Sequence, residues 1–459
     1  MKIAVLNGSP KGRASVTMQY INFLQLKNKN VDFLIFDVAQ KIKELEVDEK
    51  AFGGIIREIS TADAVIWAFP LYFFLVSSQY KRFIELVFAR NAAFAFRGKT
   101  AAVLSTSINF FDHTAHNYMN AVCDDLQMKY AGSYSAEMNN LLKAGERRRL
   151  QLFGELFLRA IQDGSPAIRN NRPLAASPID YQAQELMPVQ AQGVKILIVV
   201  DDINKNTNLR RMVENLQKTF SPAAQLVQLI DIDIKGGCIG CLQCGMDNRC
   251  VYEGQDGFVD FFNSRIKSAD ILFFAGAVFD RFLSATWKCF FDRSFFNGHI
   301  PMLKGKQLGF IVSGPLGQLA NLRQIMEAYA EMQHANLAGI VSDDTGSPEE
   351  VNGALQWLAS RAVIYSTLGY TKPPTFLQVG GTKLFRDVIW SRLRPVFQAD
   401  HRYYKEHGYY NFPQKNYKWR LINSLLMLLT KIPLFRREFV RKIKKEMIRP
   451  FTRVLSRFQ

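Results

Sequence analysis

The sequence predicts an α/β protein made of two doubly wound parallel sheets in tandem, followed by a basic helical extension. Three observations predict it. Short apolar runs rich in β-branched residues alternate with longer stretches of helical spacing. That alternation occurs twice, with matching landmarks. The positive charge concentrates after the second occurrence: from Gly380 onward there are 19 Lys/Arg against 5 Asp/Glu, so +14 of the net +17 lies there.

In the first half, Lys2–Asn7, Asp32–Asp37, Ala64–Phe69 and Thr100–Ser105 read as strands, and Ser77–Phe88 reads as a helix. Parallel neighbours need crossovers, so strands alternating with helices imply a sheet covered on both faces. Right-handed crossovers bring the loops after the strands to one edge, where ligands bind. The stretch from Ala62 to Ser107 then recurs from Ala269 at a constant offset of 207. Ala62/Ala269, Asp63/Asp270, Ser77/Ser284, Lys81/Lys288, Phe83/Phe290 and Gly98-Lys99/Gly305-Lys306 coincide. The opening strands, KIAVLNGSP at Lys2 and KILIVVDDI at Lys195, match at an offset of 193. The second copy is therefore 14 residues longer in between, and the 13-residue segment Cys238–Cys250 lies in that interval. The expected domains are 1–165, a linker at 166–192, a second domain at 193–375 and the extension at 376–459. Four prolines mark the linker region Asp163–Gln192.

With 459 residues, 48% of them hydrophobic, each domain can bury a full core. The apolar run in MKIAVLNGSPKG is short and lacks a cleavage site, so the reading is a cytoplasmic protein. Six cysteines are too few for a disulfide framework, and four crowd into one segment, which points to metal or redox chemistry. Cys123 and Cys289 lie in apolar helical stretches and read as core thiols.

After the first strand comes Asn7-Gly8-Ser9-Pro10-Lys11-Gly12-Arg13-Ala14-Ser15-Val16-Thr17 and then a helix. Small residues let backbone N–H groups approach a phosphate, and the helix start favours an anion. Lys11 and Arg13 supply charge; Ser9, Ser15 and Thr17 supply hydroxyls. A plain strand-to-helix turn with Ser15 as N-cap is the alternative. This segment resembles the Gly-Ser-Pro-Arg…Ser-x-Thr loop of NAD(P)H-dependent FMN reductases and related flavodoxin-like flavoproteins. Pro70-Leu71-Tyr72-Phe73 resembles the loop that lies beside the isoalloxazine ring in that family. Ser105-Thr106-Ser107 stands at the third family loop, and Ile108-Asn109 departs from its usual glycines. The resemblance implies flavodoxin-like domains over about residues 1–135 and 194–345, with FMN in the first. In the second half the matching loop is Val200-Asp201-Asp202, whose carboxylates repel a phosphate, and Gly276-Ala277-Val278-Phe279 replaces the ring loop. Weak or no FMN binding is expected there.

Cys238, Cys241, Cys244 and Cys250 form C-x2-C-x2-C-x5-C. Bacterial ferredoxins begin with the same run, whereas structural zinc sites use separated pairs. The segment resembles the compact cysteine motif of iron–sulfur flavoproteins, which implies a [4Fe–4S] cluster on those four residues. Zinc, or a redox-active or vestigial cysteine loop, is the alternative. The tandem copies then reproduce within one chain the dimer of such relatives, with a further homodimer as an added option.

The extension carries an aromatic stretch at 397–413, an apolar run at Leu421–Phe435 and basic clusters at Arg436-Arg437 and Arg441–Lys445. The run is too short to span a bilayer. A helix packed on the domains is the first reading, and an amphipathic helix on the inner face of an anionic membrane is the second. No nucleic-acid motif accompanies the charge. The functional expectation is an oxidoreductase working at FMN, with NAD(P)H or a ferredoxin as donor and a small molecule or a protein as acceptor. A non-enzymatic electron carrier or redox-sensing module is the alternative, and a scaffold without cofactors is a third. No acid–base pair or nucleophile stands out; His113 and His116 are candidates to assist a substrate.

Overall fold

The computed structural model describes every residue except 167, 176–178, 345, 413–414 and 458–459. Pro178 of the expected linker and Pro413 of the aromatic stretch lie outside the described residues. By packing, the chain divides into a body, Met1–Tyr403, and a tail, Tyr404–Gln459.

The first half of the body runs β1 (Lys2–Asn7), α1 (Val16–Lys27), β2 (Asp32–Phe36), α2 (Ile42–Val47), α3 (Glu49–Thr61) and β3 (Ala64–Pro70). It continues with α4 (Ser78–Ala89), β4 (Thr100–Ser107), α5 (Asp112–Asp125), β5 (Lys129–Glu137) and α6 (Ala144–Gln162). The second half runs β6 (Val189–Gln190), β7 (Ile196–Val200), α7 (Thr207–Thr219), β8 (Phe220–Ser221), β9 (Gln225–Gln228), α8 (Cys244–Asp247) and α9 (Phe258–Phe261). Then come β10 (Ile271–Ala277), α10 (Ala285–Arg293), β11 (Gln307–Ser313), α11 (Ala320–Met332), β12 (Asn336–Ser342) and α12 (Pro348–Thr367). Each half forms a five-stranded parallel sheet, ordered β2-β1-β3-β4-β5 and β9-β7-β10-β11-β12. This is the flavodoxin-like order, which reverses direction at β1 and β7 and opens a crevice at the strand ends. The short β6 and β8 pair with each other beside the second sheet.

The repeat is structural. Ser77 caps α4 and Ser284 caps α10, each accepting the N–H three residues on. Lys99 Nζ donates to Ala62 O and Lys306 Nζ to Ala269 O, both at 2.5 Å. The outer face of each sheet has its own apolar cluster. The inner faces share one, which runs from Leu6, Trp67 and Phe83 to Trp287, Phe290 and Phe310.

Helices α4 and α10 meet at the centre of that shared core. Ser78 N–H donates to Asp292 Oδ2 at 2.7 Å, and Ala285 N–H donates to Glu85 Oε1 at 2.6 Å. Ser78/Ala285 and Glu85/Asp292 are each 207 apart. The first turn of each helix has orphan N–H groups, and here each is met by a carboxylate from the other half. Lys81 bridges Glu85 at 2.8 Å and Asp280 at 2.9 Å, while Lys288 pairs with Asp292. The two halves are thus joined about a pseudo-twofold axis, as in an isologous dimer.

The linker region is held to the body. Asn170 and Asn171 N–H groups donate to Asp124, and the buried Tyr181 donates its hydroxyl to Asn352. Residues 376–403, including α13 (Phe376–Val388) and the start of α14 (Gln398–Glu406), pack with the body through buried Phe385, Ile389 and Phe397. The tail holds α15 (Tyr417–Leu429) and α16 (Pro433–Leu455).

Candidate functional site

The crevice of the first half begins where β1 delivers its chain to α1. Ser9 N–H donates to Asn7 Oδ1, Lys11 N–H to Ser9 Oγ, and Met18 N–H to Ser15 Oγ. These bonds fold the loop back on itself and cap α1. Val16 and Thr17 N–H groups lie in the first turn, where the helix offers no acceptor. Ser9, Lys11 and Ser15 line the cavity above this loop. Arg13 and Thr17, expected beside them, do not. Arg13 turns away to Asp37 at 3.0 Å and to Ile35 O, so its charge is neutralised outside the crevice. Thr17 is fully buried and its hydroxyl bonds Thr106 Oγ1 at 2.6 Å, which ties the loop to β4.

Pro70, Leu71, Tyr72 and Phe73 all line the cavity. Tyr72 and Leu75 exchange both backbone hydrogen bonds, and the two residues between them, Phe73 and Phe74, have φ of 37° and 67°. Left-handed aromatic residues store roughly 1–3 kcal/mol each. The turn is held by packing of Phe74 on Phe110 and Phe111. Of the third loop, Thr106 and Ser107 line the cavity and Ser105 does not; it is buried against His116 Nε2 at 2.7 Å. Burial lowers the His116 pKa, so that ring is a neutral structural partner. His113 stacks on Phe111 and is absent from the lining.

The cysteine segment docks on this crevice. Gln79 Nε2 donates to Cys238 O, and Gly240 takes φ +65° in close contact with the first half. A Cβ at Gly240 would stand 2.1 Å from Tyr72 Oη and 3.0 Å from Lys11 Cε, so only glycine admits this approach. Burial, then Cys238, Asp292 and Cys241, raise the Tyr72 phenol well above its usual range, which keeps it a proton-bearing donor. Arg293 anchors the segment: its Nη1 donates to Gly236 O at 2.9 Å and to the buried Asp256 at 2.7 Å.

Cys238, Cys241, Cys244 and Cys250 line one small cavity of about 30 Å³ with Tyr252 and Arg293. Burial first pushes Cys238 and Cys244 up to about 12; Asp292 and then neighbouring thiols add to it at Cys238, and Cys241 and Cys250 at Cys244. Among the described residues no three His, Cys, Asp or Glu side chains stand close enough to share a single metal ion. Cys123 is a fully buried core thiol, and burial likewise pushes the half-buried Cys289 up to about 12.

The main cavity, about 360 Å³, is bounded by both halves at once. Ser9, Lys11 and Tyr72 come from the first; Cys238, Gly240 and Asp292 come from the second. Residues 385–397 supply Phe385, Leu393, Val396 and Phe397 to the same wall. His299 also lines it, with Nδ1 at 2.6 Å from Asp400 Oδ2. The aromatic stretch from Phe397 is a candidate to pack near the flavin or the domain interface, and Phe397 lines the cavity. Asp292, His299, Phe385, Leu393 and Val396 escaped the sequence reading; no local motif marks them, and His299 and Asp400 are 101 positions apart.

The corresponding corner of the second half is filled by its own carboxylates. Asp201 is buried on Ser284 Oγ, and burial raises its pKa. Asp343 accepts from Asn208 Nδ2, Ser313 Oγ and Gly314 N–H at 2.7–2.8 Å. Asp343 thus draws donors from the start of α7 and from the end of β11.

Crevice loops at the switch points of two five-stranded parallel sheets define a flavodoxin-like protein. A family model described as NADPH-dependent FMN reductase matches residues 1–142 and 194–345, and the chain belongs to that family of oxidoreductases. No curated protein matches the chain. Among solved structures, an NADH:FMN oxidoreductase in its apo form is 16% identical, covering 38% of this chain and 97% of that one, with a TM-score of 0.30. FerB, a flavoenzyme NAD(P)H:(acceptor) oxidoreductase from Paracoccus denitrificans, is 19% identical over 36% and 98%, with a TM-score of 0.28. An FMN-dependent NADH-azoreductase from Bacillus anthracis in complex with FMN is 14% identical over 36% and 99%, with a TM-score of 0.26.

Proposed function

We propose that the protein is an FMN-dependent NAD(P)H oxidoreductase with one flavin, in the first half, and a [4Fe–4S] cluster on Cys238, Cys241, Cys244 and Cys250. The observation that carries this reading is the shared cavity, lined by Ser9, Lys11, Ser15 and Tyr72 on one side and by Cys238 on the other. Its residues suit FMN: hydroxyls, Lys11 and the N–H groups of Val16 and Thr17 for the phosphate, Tyr72, Phe73, Ile108 and Phe110 for the flat ring. Bound FMN supplies hydride acceptance from NAD(P)H and electron delivery in ones or pairs. The four thiols line one cavity, and their compact C-x2-C-x2-C-x5-C spacing suits a cluster better than the separated pairs of a structural zinc site. A cluster supplies one-electron transfer. Arg13, Ser105 and the side chain of Thr17 hold the loops rather than the ligand.

Anaerobic absorption spectra with iron, sulfide and flavin analysis test this. One FMN and four iron per chain are expected. Two FMN per chain, or FMN beside Asp201, would sink the division of labour; zinc, or FMN without iron, would sink the cluster.

A second reading, a carrier reduced by a protein donor such as a ferredoxin, draws on one observation. Cys241 is exposed and is flanked by exposed Ile239, Leu242 and Met246. Reduction by a protein donor alone, without NAD(P)H turnover, would favour it.

The tail reads as a peripheral anchor on an anionic bilayer. Residues 404–459 carry 14 Lys/Arg against 3 Asp/Glu. Helix α15 buries no residue, and Leu421, Leu425 and Leu428 are exposed along it. In α16, Val440, Ile443, Met447, Phe451 and Val454 recur at helical spacing and are all exposed. No helix among the described residues is long and apolar enough to cross a membrane. Co-sedimentation of the full chain with phosphatidylglycerol-containing vesicles but not with phosphatidylcholine vesicles is expected, and should be lost on Met447→Glu with Phe451→Glu. Equal recovery with both vesicle types would exclude the anchor.

A further inference from the structure

The pair His299–Asp400 stands at the main cavity and belongs neither to the residues assigned to the flavin nor to the cysteine site. Asp400 is 1% exposed and is gripped twice by its partner: His299 Nδ1 lies 2.6 Å from Oδ2, and His299 N–H donates to Oδ1 at 3.1 Å. Gly298 makes the grip possible. Its φ is +63°, and a Cβ there would stand 2.2 Å from Asp400 Oδ1. The imidazole is wedged among Phe385, Phe397 and Phe295, with ring centroids 3.7, 4.9 and 5.2 Å away. It is thereby fixed in orientation, and it lines the same cavity as Tyr72 and Cys238.

The neighbours of His299 in the lining are mostly apolar: Ile300, Met332, Leu393, Val396 and the three phenylalanines, with Gln333 turned to Met302 N–H. An ionisable ring placed there against a buried carboxylate is not required for packing. A carboxylate on Nδ1 fixes the tautomer and the orientation of the ring and leaves Nε2 on the opposite edge, which is the arrangement a proton donor needs. The carboxylate comes from α14, beyond the residues matched by the family model.

We infer that His299 is the catalytic proton donor of the cavity, with Asp400 as its positioning residue, and that it serves acceptors that gain a proton along with their electrons. This rests on the NAD(P)H oxidoreductase reading above. For a quinone probe the balance is two electrons and two protons taken up to form the hydroquinone. A reduced nicotinamide supplies two electrons and one proton as a hydride equivalent. The second proton passes from the His299 imidazolium to a carbonyl oxygen, and the neutral imidazole regains one from water.

The test uses the full chain loaded with FMN and follows NADPH oxidation by two acceptors. 1,4-Naphthoquinone takes up protons; ferricyanide takes electrons alone. His299→Gln should lower kcat with naphthoquinone by about 100-fold or more, with a much smaller loss for ferricyanide. His299→Gly should regain naphthoquinone turnover when imidazole is added. Asp400→Asn should lower the naphthoquinone kcat at least about tenfold with its KM unchanged. A readout without turnover is the binding of 4-nitrophenol to the FMN-loaded protein in the absence of NADPH, which His299→Gln should weaken. Equal losses with both acceptors, or full naphthoquinone turnover in His299→Gln, would overturn the assignment. If the wild type oxidises NADPH with neither acceptor, the oxidoreductase reading falls instead. The 4-nitrophenol titration then decides alone, and unchanged binding in His299→Gln overturns the role of the pair.

Discussion

Replacing Lys81 by Met should show how far buried charge holds the two halves together. Its ammonium is fully buried, 2.8 Å from Glu85 and 2.9 Å from Asp280, whose side chains are 4% and 2% exposed. Burial alone would depress this lysine, yet Asp280 and Glu85 outweigh it and its pKa is raised. Without the ammonium, the buried Asp280 is left with the Tyr118 hydroxyl and the Phe282 N–H, beside Glu85, which keeps Arg82 and the Ala285 N–H. Breaking a buried pair in this way costs about 3–5 kcal/mol. The pseudo-symmetric change, Lys288→Met, strands only Asp292, which still receives the Ser78 N–H and whose pKa burial already raises. That group can take up a proton, so a smaller cost of about 1–3 kcal/mol is expected. The asymmetry has a pH signature. Burial raises the Asp280 pKa in the folded protein, and loss of Lys81 raises it further. A carboxyl group with a raised folded pKa contributes its full stability below its unfolded value, near 4, and loses it as pH rises through the folded value. The Lys81→Met deficit should therefore be small near pH 4–5 and grow towards pH 8. Urea unfolding followed by circular dichroism at pH 5 and pH 8 measures it. Wild-type stability of Lys81→Met at pH 8, or an equal cost for Lys288→Met, would refute the reasoning.

Three further outcomes can be measured on the same protein. Lys11→Ala should weaken FMN binding about tenfold in a fluorescence titration, whereas Arg13→Ala should change it less than about threefold, because Arg13 is engaged by Asp37 outside the cavity. Gly240→Ala should drive the cysteine segment off Tyr72 and cost FMN affinity. Gly254→Ala, also at positive φ but with nothing within 4 Å, should cost only the local strain of about 1–2 kcal/mol in stability. Asp256→Asn should destabilise the protein by about 3–5 kcal/mol at pH 7, since it leaves the Arg293 guanidinium buried without its anion. Burial opposes the Asp256 carboxylate, but Arg293 wins and lowers its pKa. Its stabilisation is therefore present above about pH 4 and is lost as pH falls through the folded value, so variant and wild type should converge in acid urea titrations.

Local chemistry was readable in the sequence because it is written in consecutive residues. Strand runs such as Lys2–Asn7, the caps Ser15 and Ser77, and the loop Pro70–Phe73 announce themselves by periodicity and turn chemistry. The offset of 207 also predicted which residues become equivalent in space, down to Ser77 and Ser284 as matching caps. What stayed hidden depends on docking. Lys81 and Lys288 were visible as a coincidence, but only the packing of α4 on α10 reveals Asp280, Glu85 and Asp292 as their partners. Arg13 looked like a phosphate ligand because charge in a loop carries no direction; the nearby Asp37 on the chain after β2 captures it. His299 lies between two apolar elements with no motif, and its role depends on a carboxylate that arrives from α14.

The exchange of carboxylates between α4 and α10 bears on how such a chain can diverge. Two identical subunits related by symmetry must carry every feature in duplicate, so a mutation that helps at one socket is imposed on the other. Joined head to tail in one polypeptide, the partners are released from that rule while the seam stays locked. One member is then at liberty to keep acidic side chains at its own strand ends, and to lay a cysteine-bearing segment against its sister's crevice.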